Sequence, residues 1–279
     1  MMLVVPRKVR RGTRIAVVTL AGLVLAFPLI YLVFGSVMTA SQLTSFPPPF
    51  IPSSIHLHNF VRAWSYVHAR SATNSVIFTV ATVALQWALC ISGGFALAKL
   101  RFRGGNAVAV VLGFSLFVPA ITTLVPTFIV TDKFHLINTY PGLILPIVAQ
   151  TGFGTLLFRQ FIVNLPDELI DAARVDGGSW PHILLRVIVP LARPATGAYM
   201  AISVLTAWNM YLWPLVVATK PNVQVLTETL APLASSSYGG TIPENIAFAA
   251  TAITTLPMVV AFLVAQRSFV RGLSGSGVE

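Results

Sequence analysis

Asp167-Glu168-Leu169-Ile170-Asp171-Ala172-Ala173-Arg174-Val175-Asp176-Gly177-Gly178-Ser179-Trp180-Pro181-His182-Ile183-Leu184-Leu185-Arg186-Val187-Ile188-Val189-Pro190 is a polar island between two long apolar stretches. Four of the chain's eight acidic residues lie in it: Asp167, Glu168, Asp171 and Asp176. In a chain with 9% charged residues, that concentration marks a surface held outside the apolar phase. The pattern predicts a helix–Gly–helix elbow. Pro166 suits a first helical turn, where its missing N–H costs nothing, and Asp167 and Glu168 suit the positive end of that helix. Gly177-Gly178 ends it, Ser179 is placed to cap a second helix with Pro181 in its first turn, and that helix runs to Pro190. Ala172 and Ala173 leave room for a partner to approach closely, while Asp171 and Asp176 offer charge to basic groups on it. Spacing alone leaves two readings, a docking elbow and a solvated amphipathic hairpin.

Outward from the elbow the chain turns apolar. Hydrophobic residues make up 56% of the 279, aromatic residues 10%, and the mean hydropathy is +0.81. A water-soluble domain of this size cannot hide so much apolar surface, so the class is an all-α polytopic membrane protein. The formal charge of +10 does not indicate a nucleic-acid partner, because the basic residues flank apolar segments instead of clustering on one domain. Cys90 is the single cysteine, which excludes an internal disulfide and suits packing inside an apolar span.

A bilayer core requires about 20 apolar residues per helix. Six segments qualify, at about 14–36, 74–98, 107–130, 140–162, 196–218 and 246–266. They divide the chain into a basic N-terminus (1–13), a six-helix region (14–266) that contains the polar loop 163–195, and a tail (267–279). The first apolar run is longer than a secretory signal core and lacks a clear small-x-small cleavage site, so it reads as a retained helix. With the N-terminus inside, fourteen Lys and Arg fall on the cytoplasmic side and four (Arg62, Arg70, Lys133 and Lys220) outside. That bias places both termini and the 163–195 loop in the cytoplasm.

Two of the outside loops have their own character. In 37–73, Phe46-Pro47-Pro48-Pro49-Phe50-Ile51-Pro52 forbids helix, and His56-Leu57-His58-Asn59-Phe60-Val61-Arg62-Ala63-Trp64 reads as a short amphipathic helix. His56 and His58 have no third ligand in the loop, which leaves no metal set. The second loop, 219–245, is rich in Ser and Gly near its end and carries Glu228 and Glu244.

Prolines interrupt the spans: Pro119 and Pro126 in the third, Pro141 and Pro146 in the fourth, Pro214 in the fifth and Pro257 in the sixth. A bilayer tolerates them where neighbouring helices or a water-filled path satisfy the freed carbonyls, which predicts helices bent around a pathway. Thr122, Thr123, Gln150, Thr151, Asn209 and Tyr211 are the polar candidates for lining it, each with helix–helix hydrogen bonding as the alternative role. No buried acid or His relay, Arg ladder or Gly-rich filter occurs in the spans, and no G-x-x-x-x-G-K-[ST] occurs anywhere. No nucleophile–base set can be placed at one depth. Uphill transport by this chain therefore needs energy from another subunit.

Asp171-Ala172-Ala173, Gly177 four residues on, and Val187-x-Val189-Pro190 resemble the cytoplasmic "EAA" loop of ATP-binding-cassette (ABC) importer permeases. Asp176 fits the "DG" form of that loop, Asp171 stands for the usual Glu, and Val187 and Val189 stand for Ile and Leu. Phe46-Pro47-Pro48-Pro49-Phe50-Ile51-Pro52 with Asn59-Phe60, Trp64 and Asn74-Ser75 resembles the first outside loop of carbohydrate-uptake permeases of the maltose-permease type. Ala207-Trp208-Asn209 with Tyr211-Leu212-Trp213-Pro214 resembles their fifth helix, although Met210 stands where an acid is frequent. Gln266-Arg267 through Val270-Arg271-Gly272-Leu273 and Val278 resembles their tail.

The resemblance implies the type I ABC importer permease fold in a bacterial plasma (inner) membrane. It implies partners: a second permease, two copies of an ABC ATPase that bind ATP and Mg, and an external solute-binding (lipo)protein. No cofactor is expected on this chain, and it is not expected to be an enzyme. By the same resemblance Glu168, Asp171, Ala172, Ala173, Asp176, Gly177 and Pro190 couple to the ATPase, and Gln266, Arg267, Arg271 and Gly272 contact it from the tail. The solute implied is a sugar, with glycerol-phosphate or another polyol as the alternative and the sugar held mainly by the other permease. A secondary transporter and a membrane scaffold without transport are the readings from other classes.

Overall fold

The computed structural model describes residues 7–234 and 242–274, with side chains for 15–231, 242–261 and 263. The described residues form helices and connecting segments, with no strand among them. In order they are α1 (Arg7–Val37), α2 (Ala40–Thr44), α3 (His58–Val67), α4 (Ala69–Lys99), α5 (Gly105–Ser115), α6 (Ala120–Lys133), α7 (Tyr140–Val148) and α8 (Gly152–Val163). Then come α9 (Glu168–Val175), α10 (Trp180–Leu191), α11 (Arg193–Trp208), α12 (Leu212–Val217), α13 (Leu226–Ala234) and α14 (Glu244–Ser274).

Among the described residues, three helices are long and apolar enough to cross a membrane: Ile15–Val37, Ala69–Lys99 and Glu244–Ala261. Three bent pairs pass the same test together: α5 with α6 (107°), α7 with α8 (45°), and α10 with α11 (79°). The third and fourth predicted spans are therefore broken instead of merely bent. α5 ends at Ser115, and Pro119, with extended backbone, caps the start of α6. The fifth, expected at 196–218, is α11 and α12 with Asn209, Met210 and Tyr211 between them. Pro126 and Pro257 lie inside continuous helices.

The chain folds as two compact units, 1–67 with 230–255, and 68–229 with 256–279. In the first, the proline-rich loop lays Phe50 on α1, its ring stacked on Phe27 (5.3 Å between centroids) and edge-on to Phe34. Buried Asn59 holds this unit together. Its amide nitrogen donates to the carbonyls of Ser36 (3.0 Å) and Met38 (2.8 Å), and its Oδ1 accepts from Asn245 (2.9 Å). Asn59, Ala63 and Val67 form the buried face of α3, while Val61 and Trp64 are exposed, so this helix is amphipathic as its sequence predicts. On α1 every side chain from Ile15 to Leu25 is exposed, which is the pattern of a helix whose solvent is lipid.

The second unit is built on α4. Its C-terminal half packs against α8 and α11 at Gly94 and Gly154. A Cβ on Gly94 would stand 2.6 Å from that of Phe158, and one on Gly154 2.5 Å from the Tyr199 ring. Its N-terminal half packs against α7 around Phe78, Leu143, Ile147 and Trp213, whose indole N–H donates to the Leu143 carbonyl (3.0 Å). Asn74 and Ser75 pin the segment that follows α12. Asn74 donates to the Gln224 carbonyl (2.8 Å) and accepts from Tyr140 Oη (2.6 Å), and Ser75 Oγ accepts from Leu226 N (2.7 Å).

That segment leads into α13, a helix where the sequence predicts only loop. Glu228 in its first turn is buried, 7% exposed, and accepts from Val225 N. Burial pushes its carboxyl up to about 7. The fold thus favours the protonated form. The contribution is complete below the ordinary value of 4.5 and is lost as pH rises through about 7. Glu228→Gln keeps an acceptor oxygen without the buried charge. Its melting temperature is expected to lose part of the wild-type fall across that window, and an identical pH slope in wild type and variant would contradict this.

Candidate functional site

The elbow forms as predicted. In α9, Glu168 and Asp171 lie in the first turn and Arg174 in the last. Asp176 closes the helix and Gly177 takes φ +80°, the left-handed region that a side chain disfavours. Gly178 N donates to Ala173 O (2.9 Å) and Gly177 N to Arg174 O (3.0 Å), the paired bonds of a Schellman terminus. Pro166 precedes the helix instead of occupying its first turn. Ser179 has the extended backbone of a cap, but its hydroxyl makes no capping bond; its carbonyl accepts from Ile183 N (2.9 Å). In α10, residues Leu184–Ile188 widen into a π turn, with Val189 N reaching Leu184 O. Pro190 has no N–H, and its ring pushes away the carbonyl four residues earlier, so the wider turn is the local solution.

The two faces of the elbow differ. Inward, Ile170, Ile183 and Ile188 are buried in one cluster with Phe95 of α4, Phe158 of α8 and Ala192 before α11. Ala173 is half-buried on the same side. Outward, Leu169, Ala172 and Val175 form an exposed apolar strip at helical spacing, with Val175 88% exposed, and Glu168, Asp171 and Asp176 lie exposed beside it. Leu169 and Val175 escaped the sequence reading, although their spacing from Ala172 at i, i+3 and i+6 carries the signal.

Lys99 was also missed, because at the sequence level it counts only as one basic residue among fourteen inside. It ends α4, its side chain is 8% exposed, and its ammonium donates to Leu165 O (2.8 Å) and Asp167 Oδ1 (2.5 Å). Asp167 is 78% exposed, and Lys99 holds its carboxyl below the ordinary carboxylate range. The elbow's first residue is thus tied to the end of the longest apolar helix in this unit. Trp180 braces the other side of the Gly turn, under the Arg174 guanidinium (4.5 Å) and against Phe95 (6.0 Å).

The second candidate site lies where α6 begins, α7 breaks from α8 and α11 breaks from α12. A cavity of about 400 Å³ is lined by Thr123, Gln150, Asn209 and Tyr211, together with Leu124, Thr206 and Trp213. Four of the polar residues singled out from the sequence therefore meet; Thr122 does not line this cavity, and its hydroxyl donates to Pro119 O (2.7 Å). Thr123 donates to Ala120 O and Asn209 to Leu205 O, both 2.9 Å. The carbonyls freed at the breaks are satisfied from neighbouring elements. Gln86 of α4 donates to Ile147 O (3.0 Å) and Gln150 O (2.9 Å), and Thr227 donates to Met210 O (2.8 Å).

Gln266, Arg267, Arg271 and Gly272 lie on the last turns of α14, and their side chains fall outside the described ones. Residues 275–279 lie outside the described part altogether.

Residues 90–275 match the family described as "Binding-protein-dependent transport system inner membrane component". Over 261 residues the chain is 32% identical to the arabinooligosaccharides transport system permease protein AraQ of Halalkalibacterium halodurans, covering 91% of each chain. Over 260 residues it is 30% identical to the sn-glycerol-3-phosphate transport system permease protein UgpE of Escherichia coli, covering 91% of this chain and 92% of that one. Among solved structures it resembles a chain of a bacterial ABC transporter involved in import of the acidic polysaccharide alginate. There the TM-score is 0.81 at 22% identity, over 96% of this chain and all of that one. A chain of the alginate transporter bound to its periplasmic protein gives a TM-score of 0.62 at 16% identity, over 98% and 99%. These two likenesses establish the fold.

Proposed function

The chain belongs to the family of binding-protein-dependent transport inner membrane components, and on that premise we propose that it is a permease subunit of an ATP-driven importer of sugars. A phosphorylated polyol is the second solute class, because relatives named for both are about equally similar to it.

The observation that carries the mechanism is the two-faced elbow. Its inner face is locked into the core of α4, α8 and α11 through Ile170, Ile183 and Ile188, and its outer face offers Leu169, Ala172 and Val175 rimmed by acids. An exposed apolar strip on a rigid element is suited to sit in a partner's groove. A partner that moves the outer face moves the helices attached to the inner face as one body. ATP and Mg act on that partner, two copies of an ABC ATPase; no phosphate-cradling loop occurs in this chain. A second permease completes the path, and an external solute-binding protein delivers the solute. ATP-driven closure of the ATPases rocks the helices so that the path opens outward and the binding protein releases its load. Gln266, Arg267, Arg271 and Gly272 of the tail add a second contact to the ATPase. Thr123, Gln150, Asn209 and Tyr211 line the chain's share of the path, in the cavity beside the helix breaks.

In this reading α1, α4 and α14 each cross once, and α5 with α6, α7 with α8, and α11 with α12 complete six spans, which leaves α10 in the cytoplasmic elbow and both termini in the cytoplasm of a bacterial cell; the fourteen-to-four partition of basic residues supports that orientation. A reporter fused after Gly178 or at Glu279 is expected to behave as cytoplasmic, and one placed within 47–60 or 232–242 as external. A cytoplasmic signal from 47–60 would sink the six-span arrangement.

A further inference from the structure

We propose that this chain carries its own solute subsite, an uncharged cavity beside the α7–α8 break that takes the ring of a neutral carbohydrate. The inference rests on the importer reading above and sharpens it, because it chooses between the two solute classes.

The cavity, about 250 Å³, is lined by Thr82 and Gln86 of α4, Gln150 at the break, Phe153 of α8, and Ser203 and Thr206 of α11. It shares Ile147, Gln150, Thr206 and Met210 with the 400 Å³ cavity described above, so the two adjoin. Thr82 is 1% exposed and its hydroxyl has no hydrogen-bond partner among the described residues. A buried hydroxyl without a partner is costly in a folded chain and marks a place where something else supplies the bond. Gln86 commits its amide nitrogen to Ile147 O and Gln150 O, and its Oε1 accepts no bond from the described protein. The Gln150 side chain makes none either, although its backbone carbonyl is engaged.

Three polar groups thus converge on one space: a hydroxyl, a carbonyl oxygen and a carboxamide. They can donate and accept in the alternating way that vicinal hydroxyls require, and the half-exposed Phe153 ring supplies an apolar face for the C–H side of a pyranose or furanose. Among the described residues no Lys, Arg, His, Asp or Glu lines either cavity. A phosphate or carboxylate entering there would surrender its hydration without gaining a cation, whereas a neutral polyol exchanges water for matched hydrogen bonds. The same lack of charge that admits a sugar turns away glycerol-phosphate.

The test uses the assembled transporter, this chain with its partner permease, ATPase and binding protein, in vesicles. One probe is an equimolar mixture of arabinotriose, maltotriose and xylotriose; the other is sn-glycerol 3-phosphate. ATP-dependent accumulation of the neutral mixture is expected, with none of sn-glycerol 3-phosphate. Thr82→Val and Gln150→Leu are each expected to raise the KM for the accumulated trisaccharide by about 3- to 10-fold, the loss of one neutral hydrogen bond, with maximal rate retained. Thr82→Ser is expected to restore the wild-type KM. Accumulation of sn-glycerol 3-phosphate, accumulation of neither probe by a complex that hydrolyses ATP, or a fall in maximal rate at unchanged KM in both variants would overturn the subsite. Failure of the complex to assemble or to hydrolyse ATP would instead overturn the importer reading on which it rests.

Discussion

Gly177→Asp is expected to leave the protein in the membrane and to abolish solute uptake. Gly177 sits at φ +80° at the end of α9, and a Cβ built there meets nothing within 4 Å. The substitution therefore acts through backbone strain, about 1–2 kcal/mol, and not through a clash. That strain is too small to unfold a chain whose elbow is anchored by Ile170, Ile183 and Ile188. It falls, however, on the turn that orients α9 against α10, and it adds a carboxylate beside Asp176 on the face proposed to dock on the ATPase. Gly177→Ala carries the strain without the charge and is expected to lose only part of the uptake. Asp171→Lys reverses an exposed charge on the same face; exposed pairs contribute about 0–1 kcal/mol, so its effect is expected to be milder than that of Gly177→Asp. Co-purification of the ATPase with each variant, alongside uptake in the same cells, separates weakened docking from uncoupling. Normal uptake with full ATPase retention in Gly177→Asp would show that the elbow is only a solvated hairpin.

Lys99→Met is expected to uncouple without undocking. The Lys99 ammonium is the link between the end of α4 and the first residue of the elbow, through Asp167 and the Leu165 carbonyl. Methionine keeps the apolar stem and removes both bonds. Both bonds are lost together while the buried isoleucines still hold the elbow, so uptake is expected to fall several-fold. The outward strip of Leu169, Ala172 and Val175 is untouched, and the ATPase should therefore still co-purify and hydrolyse ATP. Undiminished uptake would show that force reaches the helices only through the buried isoleucines.

Local rules carried the sequence reading furthest where the chain terminates a helix. Gly177-Gly178, Pro181 and the acids at 167, 168 and 171 each act within one turn of their own position, and the elbow they predict is the one that forms. Asn59, Asn74 and Ser75 stood out only as parts of a resemblance; the structure gives them work, closing loops onto α1 and α4 through side-chain bonds to distant backbone. The breaks in the third to fifth spans were half legible. Prolines announce where a helix cannot continue, but not how the carbonyls at a break are satisfied: α5 and α6 meet at 107° before Pro119, while α6 runs on through Pro126. Gln86 and Thr227 satisfy such carbonyls from 61 and 17 residues away, and no window along the chain reveals such partners. Lys99, Thr82 and Glu228 were invisible for the same reason: burial, and not residue type, makes them informative. The helix α13 lay hidden because Leu226–Ala234 is short and follows a segment held by Asn74 and Ser75.

The central claim is that this chain moves solute with energy taken up through its elbow from a separate ATPase. ATP hydrolysis and solute accumulation, measured side by side on the purified chain alone and on the chain assembled with its ATPase, partner permease and binding protein, test it most directly. The expected result is no hydrolysis by the chain alone, with hydrolysis and accumulation both appearing on assembly and accumulation lost in Gly177→Asp. Measurable ATP turnover by the chain alone, or accumulation that persists without the ATPase, would contradict it.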